Sequence, residues 1–183
     1  MTTTNFIYAI GLSLSLIACG QTPSSYNIDK EESKINSNEI NKASISERHI
    51  DQMIFGIFCG ECSHDCATMY RYNMQGNQNS LFVDHTDSYF KNQGKLNFAT
   101  EITDKKKFAI AAEIVKNIPN SLLTTKKNTE TFGCPDCSDG CGIYFEIQQC
   151  TTNKKFYIDC LNLDMPKEIK KFAECIKTNI QKL

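Results

Sequence analysis

Sulfur is the most conspicuous chemistry in this chain. Ten cysteines stand among 183 residues, and six of them form two copies of one spacing. The first copy reads Cys59-Gly60-Glu61-Cys62-Ser63-His64-Asp65-Cys66. The second reads Cys134-Pro135-Asp136-Cys137-Ser138-Asp139-Gly140-Cys141. Both are C-x2-C-S-x2-C, and each residue of the second lies 75 positions beyond its counterpart. A small residue follows each triplet, Ala67 and then Gly142, and an alternating apolar-aromatic run follows that.

Three chemistries suit such loops. The first is structural disulfides, a bridge typically contributing about 2–4 kcal/mol. The second is a metal site. Two C-x2-C knuckles are the ligand pattern of a zinc ribbon, with Cys59, Cys62, Cys134 and Cys137 as the thiolate set and His64 as a possible substitute. That reading leaves the third cysteine of each loop, Cys66 and Cys141, without a role. The third is thiol redox catalysis. A redox C-x-x-C should open a helix, because the helix N-terminus lowers the thiol pKa, whereas both motifs here run into strand-like alternation. A c-type haem needs His directly after the second cysteine, and Ser63 and Ser138 occupy those positions. Asp65, Asp136 and Asp139 read as turn formers through Asx hydrogen bonds, and their spacing is not that of a calcium loop. His49 and His85 have no ligand spacing to other donors. None of the common nucleophile-elbow, phosphate-loop, dinucleotide or zinc-protease motifs occurs, so no catalytic residue is assigned.

The N-terminus sets the compartment. Phe6 to Ile17 is an apolar run too short for a comfortable membrane span. It ends in Leu16-Ile17-Ala18-Cys19, which resembles the lipobox of bacterial lipoproteins. The resemblance implies cleavage before Cys19 and acylation of that residue, although no Lys or Arg precedes the box. Residues 1–18 are then a signal peptide, 19–47 an acylated cysteine with a flexible polar tether, and 48–183 one domain. The expected location is the cell envelope, anchored by lipid to a bacterial membrane. Outside the cytoplasm, neighbouring thiols become disulfides, which favours the first chemistry.

The domain reads as α+β. Composition is that of an ordinary globular chain, with 40% hydrophobic and 22% charged residues and a net charge of −1. Interspersed charge argues against a nucleic-acid surface. Strands are expected over Ile50–Phe58, Ala67–Gln75, Leu81–Val83, Lys95–Ala99, Gly142–Cys150 and Lys155–Leu161, with a hairpin turn at 151–154. Asp84 to Gly94 and Lys126 to Thr131 read as polar connections. One helix is expected after a Thr103 cap, ending at Pro119, and a second from Pro166 with Ile169, Phe172, Ala173, Ile176 and Ile180 on its apolar face. The architecture is an antiparallel sheet of about six strands with two helices packed on one face, and a possible internal duplication. The strands at 67–75 and 142–149 should lie in one sheet with their cysteine loops at the same edge. The order of apolar strand, cysteine loop, aromatic strand, helix, Gly133-Cys134-Pro135-Asp136-Cys137 and terminal helix looks like a family of small exported bacterial Cys-loop proteins. That resemblance implies the fold and no activity.

Three cysteines lie downstream of the loops. In the expected hairpin, Cys160 falls on the face of Ile143 and Phe145, near Ile147, and Cys150 on the other face with Tyr144 and Tyr157. Cysteines on opposite faces of a sheet cannot bond. Cys160 instead points at the layer of the last helix, so the expected bridge is Cys160–Cys175, the alternative being that both stay reduced as small buried apolar residues; with that bridge, Cys150 is the candidate free thiol. The functional expectation is a lipid-anchored, non-enzymatic envelope protein with a cysteine-rich structural or interaction edge. The alternative is a metal-binding or thiol-redox lipoprotein using the paired loops. No cofactor is expected, zinc being the one candidate. The membrane, through the acyl anchor, is the expected partner. No nucleic acid is expected, and no protein partner can be named.

Overall fold

A computed structural model describes residues 49–75, 78–135, 137, 140–161 and 164–183. The expected signal peptide at 1–18, the tether at 19–47 and Cys19 lie outside the described residues, as do Asp136 and Asp139. Among the described residues no helix is long and apolar enough to cross a membrane.

One seven-stranded sheet organises the domain, in the order β4-β3-β2-β1-β6-β7-β5. Its strands are β1 Gln52–Cys59, β2 Ala67–Asn73, β3 Ser80–Asp84, β4 Thr100–Ile102, β5 Thr129–Phe132, β6 Cys141–Gln149 and β7 Thr152–Asp159. The central strand β1 is apolar on both sides because it is covered on both sides. It pairs antiparallel with β2 (Phe55 opposite Tyr70) and with β6 (Phe55 opposite Phe145). The strands that follow the two cysteine loops are thus the two neighbours of β1. The seventh strand is β5, which joins the edge parallel to β7. Its sequence, Thr-Glu-Thr-Phe, carries one apolar side chain, so it reads as a polar connection until β7 supplies a partner.

Odd positions of β1 and β6 and even positions of β2 and β7 face the helices. Met53, Phe55, Tyr70, Tyr72, Phe145, Ile147, Phe156 and Ile158 form the main core there. Among the described residues there are four helices: α1 Ser88–Lys91, α2 Lys105–Lys116, α3 Asn120–Thr124 and α4 Lys167–Ile180. Asp104, not Thr103, caps α2, its side chain accepting from Lys106 N. The helix ends at Lys116, and Pro119 instead stands ahead of α3, which seals the core with Leu122 and Leu123. Helix α4 buries Ile169, Phe172, Ala173 and Ile176, as its periodicity predicts.

The expectation of helices on one face alone is corrected by the segment after β3. Asp84 to Gly94 is more than a polar loop: it contains α1 and crosses the second face of the sheet. Tyr89, Leu96 and Phe98 pack there against Ile54, Phe58, Ala67, Met69 and Tyr144. Leu96 and Phe98 alternate as strand residues do, but the strand begins only at Thr100. Two carboxylates fasten this cover. Asp84 accepts from Ser88 Oγ, Thr86 Oγ1, Thr86 N and Asn97 N, and Asp87 accepts from Ala67 N at 2.9 Å. Arg71 extends the cover as a sandwich, its guanidinium lying 4.6 Å from the Phe82 ring and 4.7 Å from the Phe98 ring.

The β6–β7 turn is tighter and earlier than expected. Gln149 pairs with Thr152, so Cys150 and Thr151 form the turn. Cys150 takes a left-handed φ of 52°.

Candidate functional site

The cysteine loops occupy one end of the sheet. β1 runs into that end at Cys59, and β2 and β6 start from it at Ala67 and Cys141. Three disulfides result: Cys59–Cys141, Cys62–Cys66 and Cys134–Cys137. The repeat in sequence is therefore not repeated in bonding. The first loop joins its second and third cysteines, the second loop joins its first and second, and the remaining pair links the loops. Strand pairing explains the asymmetry. Cys59 and Cys141 are opposed across β1 and β6 with Cα atoms 4.1 Å apart, so those two sulfurs meet by register.

The small residue after each triplet also gains a reason. A Cβ at Gly142 would meet Phe58 Cζ at 2.5 Å and Pro135 Cβ at 2.6 Å, because the second loop folds down onto that position. Ala67, 2% exposed, sits under the segment fastened by Asp87.

A third sulfur joins the row. Cys160 N donates to Cys141 O at 3.2 Å, continuing the β6–β7 register in which Gly142 faces Asp159. Opposed residues on neighbouring strands share a face, so Cys59, Cys141 and Cys160 follow one another across three adjacent strands. Cys160 lies outside the three bridges, and burial raises its thiol pKa.

The expected Cys160–Cys175 bridge does not form, for both residues lie outside the bridges. Helix geometry gives the reason. The groove beside Cys160 is lined by Lys170, Ala173, Glu174 and Lys177, one stripe of α4 at helical spacing. Cys175 is two residues from both Ala173 and Lys177, about 200° around the helix. It points away, in hydrogen-bond reach of Asn179 Nδ2 at 3.4 Å and within the field of Glu113 on α2. Its pKa too is raised by burial. The reading that Cys160 faces an odd-numbered residue is right in parity, but that residue is Cys141 and not Ile147.

The tetrathiolate zinc set is likewise not assembled. Cys59 is bonded to Cys141, Cys62 to Cys66, and Cys134 to Cys137. His64 is exposed in its loop. For redox chemistry, Cys134–Cys137 is the exposed C-x-x-C pair. Among the described residues the pair lies in no helix and leads into strand β6. Cys134 N instead donates to Asp159 Oδ2 at 3.0 Å, which puts a carboxylate where a thiolate needs a cation or a dipole's positive end.

Two large apolar side chains are exposed among the described residues, and both flank this end. Leu161, 78% exposed, directly follows Cys160, and Phe90, 42% exposed, lies edge-on to Phe58 beside Cys59.

The opposite end of the sheet carries a group that sequence reasoning missed. Cys150 does not share a strand face with Tyr144; it sits in the turn, and its N–H donates to Asp51 Oδ2 at 2.5 Å. His49 Nε2 lies 3.1 Å from Asp51 Oδ1. Only the antiparallel pairing of β1 with β6 brings residues 99 positions apart together, so no local motif signals the trio. Asp51 also lines a polar cleft of about 520 Å³ with Gln52, Arg71, Asn73 and Gln148.

Compared with known proteins, the chain matches no family model, no curated protein and no solved structure.

Proposed function

We propose that this chain is a lipid-anchored protein of the bacterial cell envelope, without enzymatic activity, that offers its cysteine end as a rigid interaction surface. The observation carrying this reading is the placement of both exposed large apolar residues, Phe90 and Leu161, beside the disulfide-linked loops. Exposed apolar groups on a rigid, polar-rimmed surface are what a protein partner buries. The bridges supply rigidity, so little loop entropy is lost on docking. The three disulfides agree with an exported location, since such bonds persist outside the cytoplasm. The lipobox-like Leu16 to Cys19 supplies the anchor in this reading.

Photo-crosslinking side chains at Phe90 and Leu161, with Gln148 at the other end as control, test the surface in living cells. Discrete adducts at the first two positions and none at Gln148 are expected. Adducts equally frequent at all three would remove the interaction edge. Replacing Cys19 by Ala should leave the protein unprocessed or release it from membranes. Unchanged processing with retained lipid label would remove the anchor.

A further inference from the structure

We infer that His49, Asp51 and Cys150 form a binding site for a borderline-soft divalent cation of the zinc type, at the end of the sheet opposite the cysteine loops. The imidazole, carboxylate and thiol donor atoms lie within 4.8 Å of one another. In a tetrahedral zinc site, bonds of about 2.0–2.3 Å put ligand atoms roughly 3.5 Å apart. The trio therefore needs only a small closing movement, and its two outer members are exposed side chains that can make it.

The centre of the trio is already fixed. Asp51 is 7% exposed, its main-chain N–H donates to Gln148 O at 2.9 Å, and its main-chain carbonyl accepts from Met74 N at 2.8 Å. One carboxylate oxygen accepts from Cys150 N, which holds the turn and the carboxylate in one orientation. The other oxygen faces His49 Nε2 and is the one a cation would take. This is the outer hydrogen bond that orients a ligating carboxylate. The donor set is selective. Thiolate and imidazole favour zinc-like ions over calcium or magnesium, and two anionic donors with one neutral imidazole balance a divalent charge. Three protein ligands leave a fourth position for water or an exogenous ligand, as in open zinc sites. Asp51 also borders the polar cleft that carries Arg71, so a molecule in that cleft lies next to the cation. The site owes nothing to the paired loops, whose six cysteines are bonded to one another.

The test titrates purified full-length protein, disulfides intact, with Co²⁺ and then Zn²⁺. The expected result is one equivalent of Co²⁺ with a thiolate-to-metal charge-transfer absorption that Zn²⁺ displaces. Cys150→Ser should abolish that absorption, and His49→Ala should weaken binding roughly tenfold or more. Cys160→Ser and Cys175→Ser should leave it unchanged. Both decisive positions are exposed, and unchanged circular dichroism would show that the variants fold. Absence of the charge-transfer absorption would overturn the site, and so would an absorption that survives Cys150→Ser or vanishes with Cys160→Ser.

Discussion

Asp84 shows how much one side chain positions. It is 2% exposed, and burial by itself would raise its pKa. Hydrogen bonds from Ser88, Thr86 and Asn97 outweigh that and hold the carboxyl below its ordinary value of 3.8. A carboxyl whose folded pKa is depressed adds stability above its unfolded pKa and loses it as pH falls through the folded value. Asp84→Asn should therefore reduce stability at neutral pH by about 1.5–3 kcal/mol, the range for hydrogen bonds to a charged group. The gap between variant and wild type should narrow below pH 3.8, as urea unfolding at a series of pH values would show. A constant gap would mean that Asp84 acts by shape alone. None of this was legible in sequence. Asp84 to Gly94 has the composition of a solvated loop, and only the second face of the sheet, covered by Tyr89, makes it structural. The cysteine triplets are the opposite case, since their spacing and the small residues after them mark one end of the fold in the sequence itself.

At the scale of elements, the three bridges should differ in weight. In the chain-entropy model, stabilisation grows with the length of chain enclosed. Cys59–Cys141 spans 82 residues, against 4 for Cys62–Cys66 and 3 for Cys134–Cys137. That corresponds to roughly 4–5 kcal/mol for the first and about 2 kcal/mol for each of the others. Paired Cys→Ala variants compared by thermal unfolding should follow that order. The row of three sulfurs adds a sharper expectation. In Cys59→Ser, Cys141 loses its partner but still faces Cys160 across β6 and the end of β7. Oxidative folding of that variant should give a Cys141–Cys160 bridge, and peptide mapping that finds Cys160 reduced would refute the row. The strands beside each loop were legible because alternation of apolar residues survives in β2 and β6. The hairpin turn was not. Thr152 to Lys154 is as polar as a turn, yet Lys154 is buried and its ammonium donates to Leu123 O, so β7 starts earlier than its hydropathy indicates. Edge strand β5 escaped for a related reason: its identity comes from the neighbour it pairs with.

Across the whole molecule, the two ends of the sheet divide the chemistry. One end is bonded shut by sulfur and flanked by Phe90 and Leu161. The other gathers His49, Asp51 and Cys150 beside a polar cleft. The proposed interaction surface depends on the paired loops being a covalently fixed edge and not a metal or redox centre. The decisive measurement is non-reducing peptide mapping of the full chain purified without reductant, with thiols alkylated before digestion. Linked peptides are expected for Cys59–Cys141, Cys62–Cys66 and Cys134–Cys137, with Cys160 and Cys175 both alkylated. Alkylated Cys59, Cys62, Cys134 and Cys137 in protein carrying stoichiometric zinc, or a linked Cys160–Cys175 pair, would contradict it.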